Sequence, residues 1–271
     1  MQLPDKVIFL TGGSTGIGFA CAQAYAREGA KVVIVASSPG PVAEAVTQLE
    51  TEDLTNPGAQ ALTQPGNNHL GIACDVSNAE QVKNAIAQTL EKYGKIDAIH
   101  NNAGIASPSK PLHLTSDEEW NLLMNVNLKS VLYTTRYGFD ALCATEGCIL
   151  NTSSLVGEIG QDNHAAYTAT KGAMNTLTKS MALDYAQYKI RVNSVLPAGV
   201  WTPMLRKWSK EQPDPASIEQ YLDDIHPLGY CPEGDVIADA CVFLLSDKAR
   251  FITGTNLPVS GGAELGYRSV R

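Results

Sequence analysis

Short runs of β-branched residues alternate along this chain with longer segments whose apolar residues repeat at helical spacing. Such alternation is typical of β-α-β units, in which parallel strands form one sheet covered by helices on both faces. Because crossovers between parallel strands are right-handed, the order predicts a doubly wound α/β sheet. Strands are predicted at residues 6–11, 31–36, 70–74, 96–100, 148–152 and 190–196, and helices at 17–28, 41–52, 79–93, 118–144 and 165–185.

The chain has 271 residues, 44% of them hydrophobic, and no linker divides it, so we predict a single domain over residues 1–271. Residues 51–68 are polar and rich in Pro-Gly steps, which predicts a long loop after the second helix. Residues 203–232 carry several prolines and follow the sixth strand. We predict that this second segment is irregular and forms a flap over the substrate.

Composition excludes several classes of partner. The net charge of −8, with no offsetting basic block, argues against nucleic acid. No apolar stretch approaches the ~20 residues that span a bilayer, and no signal peptide is evident, so we expect a cytoplasmic protein. Six cysteines are scattered without C-x-x-C pairs; Cys21, Cys74 and Cys241 have apolar neighbours and are interpreted as core residues, and no metal site is expected.

A glycine-rich turn, T-G-G-S-T-G-I-G at residues 11–18, joins the first predicted strand to the first predicted helix. Glycines allow the backbone to approach a pyrophosphate, and the helix N-terminus stabilises its charge. The pattern therefore predicts a dinucleotide site, although a merely structural turn is the alternative. The predicted cofactor contacts are Gly12, Ser14, Thr15, Gly16, Ile17 and Gly18.

The end of the second strand bears on which nicotinamide cofactor binds. An acidic residue there binds the ribose hydroxyl of NAD, and a basic residue accommodates the 2′-phosphate of NADP. Here Ala36 is followed by Ser37 and Ser38, whose hydroxyls can donate to a phosphate, which favours NADP(H) within the broader prediction NAD(P)(H).

Two further segments follow strands at the edge where open α/β sheets bind ligands. They are predicted to line the cofactor, although such residues also simply form turns. The residues concerned are Asp75 and Val76 after the third strand, and Asn102, Ala103 and Gly104 after the fourth.

Tyr167 and Lys171 are four residues apart in a predicted helix and therefore share one face. A free tyrosine titrates near ~10, and a neighbouring ammonium stabilises its phenolate, so the pair can act in general acid–base catalysis. Such pairs are also common on solvated helices. Ser153 and Ser154, which end the fifth strand just before this helix, could hydrogen-bond a substrate oxygen.

Taken together, these motifs resemble the short-chain dehydrogenase/reductase family over nearly the whole chain. The shared features are T-G-x-x-x-G-I-G, N-N-A-G, a serine thirteen residues before Y-x-x-x-K, and an asparagine forty residues before that tyrosine. The resemblance implies a Rossmann-like fold with NAD(P) as cofactor, and a catalytic tetrad of Asn127, Ser154, Tyr167 and Lys171. It implies that Ser154 positions the substrate oxygen, Tyr167 exchanges its proton, Lys171 binds the nicotinamide ribose, and Asn127 holds a water.

The resemblance extends to residues 197–202, P-A-G-V-W-T, which match the family segment beside the nicotinamide except that Ala198 replaces a glycine. It implies cofactor contacts by Pro197, Gly199, Val200 and Thr202. Residues 153–161, 200–204 and 261–267 resemble family members that oxidise sugars such as L-fucose, which implies that Gln161 and Trp201 contact substrate. A loop glutamine and a packing tryptophan are the alternative interpretation, and His164 and His226 are interpreted as ordinary loop histidines.

Two residues depart from that sugar-oxidising group: Ala36 replaces the strand-two aspartate, and Ile105 replaces a histidine. The prediction is hydride transfer between NAD(P) and a secondary alcohol or sugar hemiacetal, with an L-fucose-like aldose favoured. A 3-oxoacyl-thioester or generic carbonyl reductase is the alternative, and a non-catalytic dinucleotide-sensing or scaffold protein is the alternative of another class. The resemblance also implies a homotetramer built through the helices at 118–144 and 165–185.

Overall fold

One parallel sheet organises the computed structural model, which describes residues 1–55 (the backbone alone at 53–55), 68–106, 109–212 and 214–265. The strand order is β3-β2-β1-β4-β5-β6-β7. The chain therefore winds one way from β1 to β3 and the other way from β4 onward, which confirms the doubly wound prediction. The strands are β1 (Val7–Thr11), β2 (Lys31–Ala36), β3 (Leu70–Ala73), β4 (Ala98–Asn101), β5 (Cys148–Thr152), β6 (Arg191–Pro197) and β7 (Asn256–Val259).

Helices cover both faces of this sheet. The helices are α1 (Gly16–Arg27), α2 (Pro39–Thr55), α3 (Ala79–Tyr93), α4 (Asp117–Met124), α5 (Ser130–Thr145), α6 (Val156–Ile159), α7 (Ala165–Tyr185), α8 (Pro203–Lys210), α9 (Pro215–Asp224) and α10 (Gly234–Leu245). No helix within the described ranges is both long and apolar enough to cross a bilayer.

Two apolar layers fill the spaces between the sheet and its helices. One layer joins alternate residues of the strands to α1, α2 and α10, and the other joins the remaining strand residues to α3, α5 and α7. The central strands β1, β4 and β5 are buried at every position, as expected for parallel strands covered on both faces. Burial along these strands is therefore continuous instead of alternating, and it includes polar residues such as His100 and Asn151.

The predicted helix at 118–144 is not continuous. It is divided into α4 and α5 by a π-helical turn at Asn125–Lys129. A π-turn inserts an extra residue into the helical ladder, a feature that occurs frequently at functional sites. Nothing in the apolar spacing marks this insertion, and it places Asn127 in the interior with no exposed surface.

The prediction of an irregular segment at 203–232 is wrong. It contains α8 and α9, each with a proline at its first turn, where the missing N–H costs nothing. Thr202 and Asp214 cap the two helices by accepting from backbone N–H groups. The helix α10 and the strand β7 were also missed. The loop predicted at 51–68 does not begin at residue 51, because α2 extends to Thr55. Residues 56–67 lie outside the described residues.

Candidate active site

The glycine-rich turn lies where the sheet changes winding direction. It follows β1, and β4 is the neighbouring strand, so the carboxyl ends of both open on one crevice. Gly12 and Gly16 have φ values of +64° and +55°, a region that favours glycine. Thr15 precedes α1 without a side-chain capping bond, so backbone N–H groups of the first turn remain for an anion.

Steric crowding explains the last glycine of the motif. A Cβ atom on Gly18 would lie 2.0 Å from the Gly12 carbonyl oxygen and 2.5 Å from Nδ2 of Asn102. A Cβ atom on Gly12 would lie 2.8 Å from Cα of Ala103. The turn and the N-N-A-G segment thus pack backbone against backbone, and the arrangement fits a dinucleotide lying across them.

Thr11 ties the two segments together, a role that the sequence reasoning missed. Its hydroxyl oxygen accepts from the backbone N–H groups of Asn102 at 3.0 Å and Ala103 at 3.1 Å. In return, Nδ2 of Asn102 donates to the carbonyl oxygens of Thr11 and Gly12. Asn102 and Ala103 therefore lie at the predicted crevice, but the Asn102 side chain holds the turn.

The residues after β2 and β3 that are predicted to line the cofactor differ in their exposure. Ser37 and Ser38 are both exposed after β2, and the side chains carry no charge. Asp75 is also exposed, but its carboxylate accepts from the N–H and hydroxyl of Ser77, at 2.9 and 2.7 Å. Val76 is buried in the apolar layer on the α3 side, so its side chain belongs to the core.

Ser154, Tyr167 and Lys171 converge beyond the end of β5. The Ser154 hydroxyl lies near enough to the Tyr167 phenol to lower its pKa. The Lys171 ammonium lies 5.7 Å from the centre of the Tyr167 ring, as expected for residues one helical turn apart in α7. The structure therefore brings three members of the predicted tetrad together.

Lys171 is buried and held from two sides. Its Nζ donates to the Thr152 carbonyl at 2.8 Å, and it lies 3.7 Å from where a Cβ on Gly104 would be. Ser153 donates to the Lys171 carbonyl at 3.1 Å, a support that sequence reasoning missed. Gly157 of α6 also packs against this carbonyl: a Cβ atom placed on Gly157 would lie 2.8 Å from the Lys171 carbonyl oxygen. The helix α6 therefore lies directly on α7.

Asn127, the fourth member, reaches the site through the π-turn. Its Oδ1 accepts from Ile105 N at 2.8 Å, and its Nδ2 donates to Ile105 O and to the Thr170 hydroxyl. A Cβ on Gly104 would lie 3.4 Å from its Oδ1. The side chain therefore clamps the loop after N-N-A-G beside Lys171.

Burial controls the protonation of the pair. Desolvation raises the pKa of Tyr167, and its interaction with the Ser154 side chain acts in the opposite direction. Desolvation also lowers the pKa of Lys171 to about 8. Near neutral pH the site therefore holds a neutral phenol next to an ammonium that is close to losing its proton.

The buried Lys171 ammonium lowers the free energy of unfolding. We expect Lys171→Met to raise the free energy of unfolding by about 1–2 kcal/mol near pH 7. The lowered pKa of Lys171 corresponds to roughly 3 kcal/mol of destabilisation, which the substitution removes. Loss of the hydrogen bond to Thr152 offsets about 1 kcal/mol of this gain. The gain should shrink above about pH 8, where the folded protein releases this proton while the unfolded lysine keeps it up to 10.5.

Urea unfolding from about pH 7 to about pH 10 measures this effect. The matched control is Lys179→Met, an exposed position on α7 that we expect to change stability by less than about 0.5 kcal/mol. A gain that is constant with pH would contradict the desolvation of Lys171.

The segment after β6 closes the crevice from the other side. Ala198, which replaces the usual glycine, does not have a positive φ, so the replacement introduces no backbone strain. Thr202 lies against the glycine-rich turn, with its Cγ2 3.3 Å from a hypothetical Cβ on Gly16. Gly199 packs against His226, and Val200 is buried in the layer next to α1. Pro197 is the last residue of β6.

Trp201 is held in place, while Gln161 is exposed just after α6. The Arg206 guanidinium lies 4.9 Å from the Trp201 ring centre and pairs with Glu233. The backbone N–H of Trp201 donates to the Pro232 carbonyl oxygen at 2.8 Å. Both predicted substrate residues therefore lie in the segments that follow β5 and β6.

The two histidines near these segments differ in burial. His164 is half-buried and its Nε2 lies 3.2 Å from the Ser109 hydroxyl. His226 is buried, and its Nδ1 lies 2.6 Å from the Leu222 carbonyl, within hydrogen-bonding distance. It joins α9 to the end of β6 through its contact with Gly199.

Comparison with known proteins agrees with this geometry. A family model described as enoyl-(acyl carrier protein) reductase matches residues 12–264. L-fucose dehydrogenase of Bos taurus is 37% identical over 262 residues, covering 97% of this chain and 90% of that protein. A 2,5-dichloro-2,5-cyclohexadiene-1,4-diol dehydrogenase of Sphingobium indicum is 35% identical, with 96% and 98% covered.

A solved structure shares the whole fold. The 3-ketoacyl-(acyl-carrier-protein) reductase from Brucella melitensis, complexed with NADH, superposes with a TM-score of 0.84 at 31% identity, over 96% of this chain and 99% of that chain. The family model and these relatives cover nearly the full length of the sequence. The chain is thus an enzyme of the short-chain dehydrogenase/reductase family of oxidoreductases.

Proposed function

We propose that this enzyme transfers a hydride reversibly between NAD(P) and a secondary alcohol or sugar hemiacetal. The observation that carries the proposal is the convergence of Ser154, Tyr167 and Lys171 at the crevice beside the glycine-rich turn. The nicotinamide cofactor, when bound, accepts or donates the hydride, and the protein supplies orientation and proton transfer.

Ser154 and Tyr167 handle the substrate oxygen. The Ser154 hydroxyl hydrogen-bonds this oxygen, and the Tyr167 phenol exchanges a proton with it. During alcohol oxidation the phenolate takes the hydroxyl proton, and during carbonyl reduction the phenol returns it. The Ser154 side chain interacts with the Tyr167 phenol, which supports the proposal that both hydroxyls face one oxygen atom.

Lys171 and Asn127 support that exchange. The ammonium beside the Tyr167 ring stabilises the phenolate electrostatically, and its anchoring to Thr152 fixes its position. Lys171 would also donate to the ribose of the cofactor. Asn127 positions the loop at Ile105, between the glycine-rich turn and the pair.

For the cofactor we propose a preference for NADP(H) within NAD(P)(H). The support is that Ala36 supplies no carboxylate for a ribose hydroxyl, while Ser37 and Ser38 are exposed with hydroxyls that can donate to a phosphate. Asp75 follows β3 instead of β2, and its Oδ1 already accepts two hydrogen bonds from Ser77, so we propose that it does not replace the missing acid. We propose that Gly12, Ser14, Thr15, Gly16, Ile17 and Gly18 hold the pyrophosphate side.

For the substrate we propose an L-fucose-like aldose. An exposed glutamine suits sugar hydroxyls, and an indole suits the face of a sugar ring, so Gln161 and Trp201 would contact it. The similarity to L-fucose dehydrogenase supports this class. We further propose that residues 203–232 act as the flap over the substrate.

Reduction of a 3-oxoacyl thioester or another carbonyl is the second candidate. It is favoured by the similarity to a 3-ketoacyl-(acyl-carrier-protein) reductase. The same proton-transfer groups serve both reactions. A non-catalytic dinucleotide sensor is less well supported, because the full tetrad is present and three of its members converge.

Cofactor titration followed by a substrate panel distinguishes these functions. We expect NADPH to bind at least about tenfold more tightly than NADH, since each tenfold corresponds to about 1.4 kcal/mol, roughly one hydrogen bond to a charged group. We expect aldose oxidation to exceed acyl-thioester reduction. Thioester reduction alone would establish the second candidate, and tight cofactor binding without any turnover would establish the sensor.

Assembly and location stay predictions. We propose a homotetramer, supported by leucines exposed on the helices predicted to mediate it: Leu132 of α5 is 47% exposed and Leu183 of α7 is 80% exposed. Sedimentation of a species at the single-chain mass of 28.9 kDa would refute it. The cytoplasmic location rests on the sequence.

A further inference from the structure

Three side chains of metal-ligand type meet in the core behind the glycine-rich turn. They are Cys21 of α1, His100 of β4 and Cys241 of α10, and none has any exposed surface. The ligand atoms of all three lie within 4.8 Å of one another. They are 79 and 141 positions apart in the chain, so no spacing motif reveals them.

A fourth donor completes the cluster. Tyr25 follows Cys21 by one helical turn, is fully buried, and its phenol oxygen lies 2.8 Å from Nδ1 of His100. The other ring nitrogen of His100 lies 2.9 Å from the Thr152 hydroxyl. That second contact is the kind that orients a metal-binding histidine and fixes its tautomer.

We propose that Cys21, Cys241, His100 and Tyr25 form a structural zinc site. Two thiolates and an imidazole nitrogen are ligands that zinc binds in structural sites, and the Tyr25 phenol oxygen would occupy the fourth tetrahedral position. With Zn–S near 2.3 Å and Zn–N or Zn–O near 2.0–2.1 Å, tetrahedral ligand atoms are about 3.3–3.8 Å apart. The Tyr25–His100 contact of 2.8 Å therefore needs to open by about half an ångström. The ligand atoms of Cys21, His100 and Cys241 need to approach one another by at most about 1–1.5 Å.

Charge balance favours a divalent cation at this position. Zinc binding would displace one proton from each of the two thiols to solvent, so Zn²⁺, two thiolates, a neutral imidazole and a neutral phenol sum to zero charge. Nδ1 of His100 faces the Tyr25 phenol, and a neutral imidazole binds a metal through such a ring nitrogen. A neutral site avoids the desolvation cost of burying net charge.

The ligands also define what the metal would do. They come from the helix that begins at the glycine-rich turn, from the strand that leads to N-N-A-G, and from α10. His100 additionally accepts from the Thr11 hydroxyl through its carbonyl oxygen, at 3.4 Å. Zinc would thus cross-link the elements that flank the glycine-rich turn. Because four buried ligands leave no open coordination position for a substrate, its role would be structural.

The test is the zinc content of the full-length protein. Because the site has no exposed surface, zinc is supplied in the growth medium so that it can bind during folding. We expect about one zinc per chain after dialysis against a weak chelator, and at least a tenfold loss in Cys21→Ala and in Cys241→Ala. The matched control is Cys74→Ala, a buried cysteine in the other apolar layer, which should keep its zinc.

Zinc-free wild-type protein would overturn the proposal, as would equal zinc in Cys21→Ala, Cys241→Ala and Cys74→Ala. If the alanine variants fail to fold, wild-type protein produced with Co²⁺ decides the question. Thiolate ligation then gives an intense near-ultraviolet charge-transfer band, and a spectrum lacking that band excludes thiolate ligands. These readouts do not depend on the proposed hydride transfer.

Discussion

Tyr167→Phe is expected to lower kcat by about 10³-fold or more while leaving cofactor affinity nearly unchanged. General acid–base groups contribute roughly 10²–10⁴-fold, and Tyr167 is the phenol that interacts with the Ser154 side chain. The phenyl ring keeps its packing near Lys171, because only one oxygen atom is removed. Steady-state kinetics with the best substrate of the panel, together with cofactor titration, measure both quantities.

The matched control is Tyr188→Phe, which removes a hydroxyl from a partly exposed ring shortly after α7. We expect this variant to retain wild-type kcat. Near-wild-type turnover in Tyr167→Phe would rule out the phenol as the proton-transfer group. Loss of cofactor affinity along with turnover would instead indicate that the crevice had rearranged.

Gly18→Ala is expected to weaken cofactor binding by at least about tenfold and to lower stability by about 3 kcal/mol or more. The new Cβ would lie 2.0 Å from the Gly12 carbonyl oxygen, and this backbone cannot move away as a flexible side chain could. Displacing Gly12 would also break the bond from Asn102. Urea unfolding and cofactor titration measure the two effects.

Gly40→Ala is the matched control for this substitution. Gly40 lies near the start of α2, and nothing lies within 4 Å of its hypothetical Cβ. We expect unchanged or slightly higher stability, by up to about 1 kcal/mol, because alanine is the better helix former. Equal behaviour of Gly18→Ala and Gly40→Ala would contradict the close packing of the turn.

Most strands of the sheet could be predicted from sequence patterns, whereas β7 and the helices α8 and α9 could not. The six predicted strands were confirmed because buried parallel strands give continuous β-branched runs. The strand β7 was missed, since its residues N-L-P-V include a proline and all four are only half-buried. The helices α8 and α9 were missed because their prolines were interpreted as helix breakers instead of first-turn residues.

The supporting contacts of the site lay beyond pattern reasoning. Thr11 and Ser153 act through hydrogen bonds to residues 91 and 18 positions away, at the ends of other elements. Asn127 was identified by resemblance, but its inward placement depends on the π-turn, which leaves no mark in apolar spacing.

The sequence by itself determined the fold class, the glycine-rich turn and the Tyr167–Lys171 pair. Each depends on residues close together in the chain: a strand, turn and helix in succession, or two residues one helical turn apart. Only the tertiary structure decided which groups surround the pair. It anchored Lys171 to Thr152, placed Asn127 at the loop, and gathered Cys21, His100 and Cys241 in the core. Such contacts join residues far apart in the chain, so they exist only once the sheet and its helices have packed.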